Sequence, residues 1–258
     1  MLCHARICAE ESFLLIDGNT NEVIMQCGPH VEERISPCST FKIALSLMGY
    51  DAGILIDSTD PIWNFQEGYD DWLTAWRSPQ TPKSWMQYSC VWYSKVLSLT
   101  LGLESIQRYL SAMEYGNMDM SGGLAQPGAA GPAWINSSLM ISPREQVSFI
   151  QKIVTNTLPV SPSATKMTKT LLFKEELSNG WKLFGKTGWS GSDIAQDGIT
   201  LEHGWFVGWC ENGDRFFPFA YLIRARKISL DQRIPRVKQL IDEAIPIPFQ
   251  ELDLGSRD

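Results

Sequence analysis

The chain has 258 residues, 44% of them hydrophobic and 20% charged, with a formal net charge of −7 and no basic block. That length buries a sizeable core, and the charge excludes nucleic acid or an anionic membrane as the main partner. No apolar run reaches the length of a membrane span, and the opening "MLCHARICAEES" lacks the apolar stretch of a signal peptide.

From the N-terminus, "SFLLID-GNTN-EVIMQCG" reads as two strands, residues 12–16 and 22–27, joined by a Gly/Asn turn. A helix should start at Ser39 or Thr40 and stop before Gly53, where glycine favours termination. Residues 57–87 are rich in Trp, Pro and Asp without a period, and read as a packed irregular segment. Helical patterns resume at 89–99 and 105–114. The Gly/Pro-rich stretch "YGNMDMSGGLAQPGAAGPAW" then reads as a long loop, a length at which loops are often functional.

Ser142, Pro143 and Glu145 form an N-terminal capping signature for the next helix, and a further helix is expected over 163–173. "WKLFGKTGW", "HGWFVGWCE" and "FFPFAYLIR" read as three strands, and a helix over 236–244 ends before Pro246. Strands at both ends with helices between them predict an α+β fold. One antiparallel sheet would combine both termini, with a helical lobe inserted. The chain reads as a single catalytic unit, its α/β lobe formed by 1–38 and 142–258 and its helical lobe by 39–141.

The six cysteines follow no zinc spacing, and no metal is expected. Cys3, His4 and Cys8 are the only tight group and lack further ligands. Cys3 and Cys8 could bridge one another in an exported protein.

One charge interrupts an almost continuous apolar run: Lys42, within "STFKIALSLMGY". A lysine buried in a helix must lose its proton or find a partner. Ser39 lies three residues earlier at the positive end of the helix, so hydroxyl and amine share a face. A desolvated lysine can then act as base to a serine nucleophile. Alone, this S-x-x-K pattern equally fits a capping serine and a solvated lysine. "SCV" at 89–91 by itself reads as an N-cap, and "KTG" at 186–188 as a strand end able to pair with an extended substrate.

The order of these motifs is more specific than any one of them. S-x-x-K, S-x-V about fifty residues on, and K-T-G near residue 186 resemble the serine β-lactamases and penicillin-binding proteins. With "YGN" at 115–117, "WINSSLMIS" at 134–142 and "GWFVGW" at 204–209, the chain resembles the class D, oxacillinase-type β-lactamases over roughly residues 10–245. S-C-V stands where class A enzymes carry S-D-N.

The resemblance implies that Ser39 attacks a β-lactam carbonyl and that Lys42, N-carboxylated by CO₂, is the general base. CO₂ or bicarbonate would be the only small molecule required. The backbone N–H groups of Ser39 and Trp189 would form the oxyanion hole. Trp134 would donate its indole N–H to the carbamate, Val91 and Leu139 would wall it, and Ser89 would relay a proton to the lactam nitrogen. Lys186, Thr187 and Gly188 would line the place of the substrate carboxylate. An arginine is expected there too, Arg233 first and Arg226 next. Trp85 and Trp189 are expected beside the cleft.

Cys38, with no histidine near it in the sequence, reads as a packed thiol, as does Cys90. β-Lactam antibiotics are the expected partners and a periplasmic or secreted location the expected place, with the signal absent from this sequence. Monomer and homodimer stay open. The alternatives are a sensor domain acylated without turnover, and a peptidoglycan transpeptidase or carboxypeptidase.

Overall fold

The structure is a computed structural model and describes residues 10–178, 180–194 and 200–245. The group Cys3, His4 and Cys8 therefore lies outside the described residues, as does Pro246.

Strands β1 (Glu10–Ile16) and β2 (Val23–Cys27) form the expected hairpin. Its turn closes on Asp17, whose Oδ1 accepts the backbone N–H groups of Asn19 (2.9 Å) and Thr20 (3.2 Å), an Asx turn. The C-terminal third adds β4 (Lys182–Ile194), β5 (Thr200–Asn212) and β6 (Arg215–Ala225). With a short β3 (Phe173–Glu176), they complete a six-stranded sheet in the order β2-β1-β6-β5-β4-β3. Every pairing is antiparallel.

Within β1 and β5 the stretches 13–16 and 204–210 are continuous apolar runs because both faces of the sheet are covered. On one face Phe13, Leu15, Phe206 and Phe219 pack against Val237, Leu240 and Ile241 of the last helix, α7 (Arg233–Ala244). On the other, Leu14, Trp205, Val207 and Trp209 join the larger core under α1 (Lys42–Asp51) and α5 (Pro143–Val154). Nine of the ten α1 residues are buried, all but Asp51, so this helix is the centre of the molecule. Its Ser46 hydroxyl lies 2.8 Å from that of Thr168 on α6 (Pro162–Leu172).

The capping signature of α5 is realised: Ser142 Oγ accepts the Glu145 N–H (3.2 Å) and Glu145 Oε2 accepts the Ser142 N–H (2.9 Å), with Pro143 first in the helix. α3 (Val91–Leu101) and α4 (Leu103–Met113) complete the helical region. Among the described residues, no helix is long and apolar enough to cross a membrane.

Four local expectations need correction. The stretch 57–87 is not wholly irregular, for α2 (Pro82–Tyr88) forms at its end behind a Thr81/Ser84 capping box with Pro82 leading. Ser89 is not the N-cap of α3. It is the C-cap of α2, in the left-handed region at φ 57°. α7 begins at Arg233 rather than 236, because a proline in the first turn (Pro235) removes an N–H that needs no helical partner. β3 was not anticipated, since "FKEE" has no apolar alternation and continues directly from α6.

Candidate active site

The turn carrying Ser39 is a 3-10 segment, Cys38–Phe41, that leads straight into α1. It is pinned from both sides. The Ser36 carbonyl accepts the Trp205 indole N–H and His203 Nε2, both at 3.0 Å, from β5. Ser36 Oγ (2.9 Å) and the Cys38 N–H (3.0 Å) both donate to the Trp134 carbonyl. Cys38 takes a positive φ of 48°, a conformation that is uncommon for a residue with a Cβ.

The expectation that Cys38 has no histidine nearby fails: His203 Nε2 lies 3.6 Å from its Sγ. β5 brings the ring in from 165 positions away. That nitrogen faces the Ser36 carbonyl, so it carries a proton and donates. A donating nitrogen cannot take the thiol's proton, and Cys38 remains a packed side chain.

Lys42 is 2% exposed, and its Nζ lies 3.2 Å from Ser39 Oγ. Burial pushes the amine from its ordinary 10.5 down to about 8, against smaller opposing effects of Cys90, Cys38 and Asp70. At pH 7 roughly one amine in ten is then neutral, against about one in three thousand for a solvated lysine. Val91, Leu139 and Phe41 are buried, and the Trp134 ring packs on Phe41 with centroids 5.1 Å apart. Trp76, Trp85, Trp92, Trp205 and Trp209 each donate their indole N–H to a protein acceptor. The Trp134 side chain is buried, but its indole N–H has no such acceptor among the described residues.

β4 carries K-T-G along an open edge. β3 pairs with it only over residues 182–184, so from Gly185 to Trp189 that edge has no strand neighbour among the described residues. Gly188 lets the nucleophile turn approach: a Cβ there would sit 3.0 Å from the Pro37 carbonyl and 3.2 Å from Thr40 Cγ2. The buried Lys186 Nζ donates to Ser89 Oγ and to the Thr187 carbonyl, each at 2.9 Å. Burial, then the neighbouring Lys42, Lys174 and Arg233 charges, hold its amine well below the usual lysine range.

These groups meet at a cleft of about 290 Å³, lined by Ser39, Ser89, Val91, Thr187, Gly188, Trp189 and Arg233. Lys42 and Lys186 lie directly behind that lining, bonded to Ser39 and Ser89. Arg233, rather than Arg226, reaches the cleft. It donates through Nη1 to the Gly188 carbonyl and through Nε to that of Leu230 (2.9 Å), and burial lowers its pKa to about 10.

The rest of the lining was not anticipated: Trp72, Leu73, Trp76, Tyr88 and Leu230. Trp72 and Leu73 are 65% and 50% exposed, and the sequence signal for them was the tryptophan-rich segment itself. Trp85 is not beside the cleft; it is fully buried and bonded to Ser94 Oγ at 2.9 Å.

Comparison with known proteins agrees with this geometry. Residues 12–242 match the penicillin binding protein transpeptidase domain family. The chain is 41% identical over 200 residues to "Beta-lactamase OXA-1" of Escherichia coli, covering 77% of this chain and 70% of that one. The crystal structure of OXA-427 class D β-lactamase superposes with a TM-score of 0.79 at 32% identity, over 91% of this chain and all of the other. The C-terminal domain of the Bacillus licheniformis BlaR penicillin-receptor gives 0.78 at 28% identity, over 93% and 92%. The chain belongs to the transpeptidase family and, within it, to the class D β-lactamases, and is therefore a hydrolase.

Proposed function

We propose that this enzyme hydrolyses the lactam amide of penicillins and related antibiotics through an acyl-enzyme on Ser39. The observation that carries the reading is Lys42: a buried amine held near 8 by its surroundings and in hydrogen-bonding reach of the Ser39 hydroxyl. A neutral amine is the form that reacts with CO₂, and an apolar pocket disfavours its protonated competitor. Carboxylated by CO₂, Lys42 supplies the general base for both halves of the reaction. The Trp134 indole N–H, without a partner among the described residues, suits a negatively charged acceptor, and the buried Val91 and Leu139 suit a site kept dry.

Ser39 Oγ bonds to the lactam carbonyl carbon and its proton leaves to the base. The C–N bond breaks, and Ser89, bonded to Lys186, delivers a proton to the departing nitrogen. The N–H groups of Ser39 and Trp189 hold the carbonyl oxygen. Arg233 brings positive charge, and Lys186 and Thr187 bring donors, to the substrate carboxylate. Water then cleaves the ester and releases the opened acid. Export to the periplasm or medium, where β-lactams act, accompanies this reading.

The likeness to the BlaR penicillin-receptor domain supports a second reading, a sensor acylated once and held. Hydrolysis of a chromogenic cephalosporin in CO₂-free buffer, then with bicarbonate, separates the two. Many turnovers per chain, rising with bicarbonate, are expected. A single stoichiometric burst in both buffers would establish the sensor instead.

A further inference from the structure

Beyond the residues that do the chemistry, one carboxylate joins the two segments that make the sheet side of the cleft. Glu202 lies on β5, opposite Ala225 of β6. Its Oε2 accepts the Trp189 indole N–H at 3.3 Å and the Ile228 backbone N–H at 2.8 Å. Trp189 follows K-T-G on β4, and Ile228 begins the turn that carries Leu230 and Arg233 into the cleft. The Trp189 ring lies over Gly191, where an added Cβ would stand 3.1 Å from Cζ2 and 3.2 Å from Cη2, so the lack of a side chain at 191 lets the ring lie close against the strand. The β4–β5 register shifts between Ser190 and Asp193, next to this contact.

The wall so assembled is 39% exposed at Trp189 and 42% at Leu230. Trp72 and Leu73 line the same cleft, Trp72 packed on Trp76 with ring centroids 5.5 Å apart. An exposed indole on a strand edge has free rotamers to lose, and a chain turn has backbone freedom to lose. Fixing both before the substrate arrives removes that cost from binding. Arg233 ties Gly188 to Leu230 through backbone carbonyls alone, so it leaves the Trp189 ring itself unrestrained.

We propose that Glu202 is a positioning residue. By holding the Trp189 indole and the Ile228 amide on one oxygen, it sets the wall against which the acyl side chain of the β-lactam lies. Its contribution then falls on that side chain and not on the lactam bicycle, which Ser39, Lys186 and Arg233 address. The inference rests on the β-lactam reading above.

The test compares benzylpenicillin with 6-aminopenicillanic acid, which has the same bicycle and no acyl side chain. The readout is the second-order rate of covalent adduct formation, followed by intact-protein mass, so that no turnover is needed. Glu202→Ala is expected to slow acylation by benzylpenicillin about tenfold, the loss of roughly one charge-assisted hydrogen bond, and to leave 6-aminopenicillanic acid within about twofold. Glu202→Gln keeps an acceptor oxygen and should restore most of the rate; this near-isosteric variant also controls for a folding defect in the alanine variant.

Trp189→Phe keeps a ring and removes the N–H. In that background Glu202→Ala should cost less than in wild type, because one of its two bonds is already gone. Equal slowing of both penicillins, or full multiplicativity with Trp189→Phe, would overturn the proposal. Adduct formation without turnover in the wild type would instead refute hydrolysis and leave Glu202 tested all the same.

Discussion

Replacing Lys42 with methionine should abolish hydrolysis and make the protein more stable. Methionine has nearly the same length, no charge, and suits an apolar helix core. The lysine amine falls from 10.5 to about 8 on folding, equivalent to roughly 3 kcal/mol held against the folded state while the amine is charged. Between pH 8 and 10.5 the unfolded chain binds more protons at this site than the folded one, so the wild type gains stability as pH rises through that window. Below pH 8 the full cost is present. The variant has no such group, and the other ionisable groups largely cancel in the comparison.

Thermal unfolding in CO₂-free buffer at pH 7 should therefore place Lys42→Met above wild type by roughly 6–12 °C, taking about 2–4 °C per kcal/mol for a chain of this size. At pH 10 the gap should be less than half of that. Relief of the neighbouring Lys186, whose amine is held down partly by Lys42, acts in the same direction. A variant melting at or below wild type at pH 7, or a gap independent of pH, would refute the claim that burial lowers the pKa of this amine.

Two further predictions concern the surroundings of the site. Lys95 and Asp70 form a buried ion pair at 2.9 Å, and Lys95 also donates to the Ala129 carbonyl while Asp70 accepts the Gly128 N–H, tying α3 to the loop that leads to Trp134. Lys95→Met leaves Asp70 buried and unpaired and should cost about 3–5 kcal/mol by urea unfolding; a loss under about 1 kcal/mol would show the pair to be solvated. Trp134→Phe keeps the ring against Phe41 but loses the N–H. It should slow deacylation by about 10²–10⁴-fold with acylation retained, seen as acyl-enzyme accumulating in the mass spectrum. Turnover at the wild-type rate would remove Trp134 from the account of the base.

Much of the fold was readable because it is written in local patterns. The hairpin at Asp17, the Ser142 capping box and the three C-terminal strands each follow from side chains within a few residues of one another. The errors were local as well, and had physical causes. The last helix was expected from 236 but begins at Arg233, because Pro235 in the first turn gives up no helical hydrogen bond. Ser89 looked like a cap for the following helix, but the left-handed turn at φ 57° ends the preceding one and turns the hydroxyl toward Lys186.

The sequence by itself determined the chemistry at its core: a serine and a lysine one turn apart in an apolar helix, followed in order by S-x-V and K-T-G. Short-range geometry fixes the first pair, and Lys42 meets Ser39 as that spacing requires. Only the tertiary structure decided what surrounds them. Ser89 meets Lys186 across 97 positions, His203 reaches Cys38 across 165, and Trp72 comes to line the same cleft as Trp189. Such contacts depend on how the open edge of β4 packs beside α1 and on which residues the pleat of the sheet aims at the cleft. No window of neighbouring residues contains that information, because burial on two faces of one sheet is a property of the whole chain.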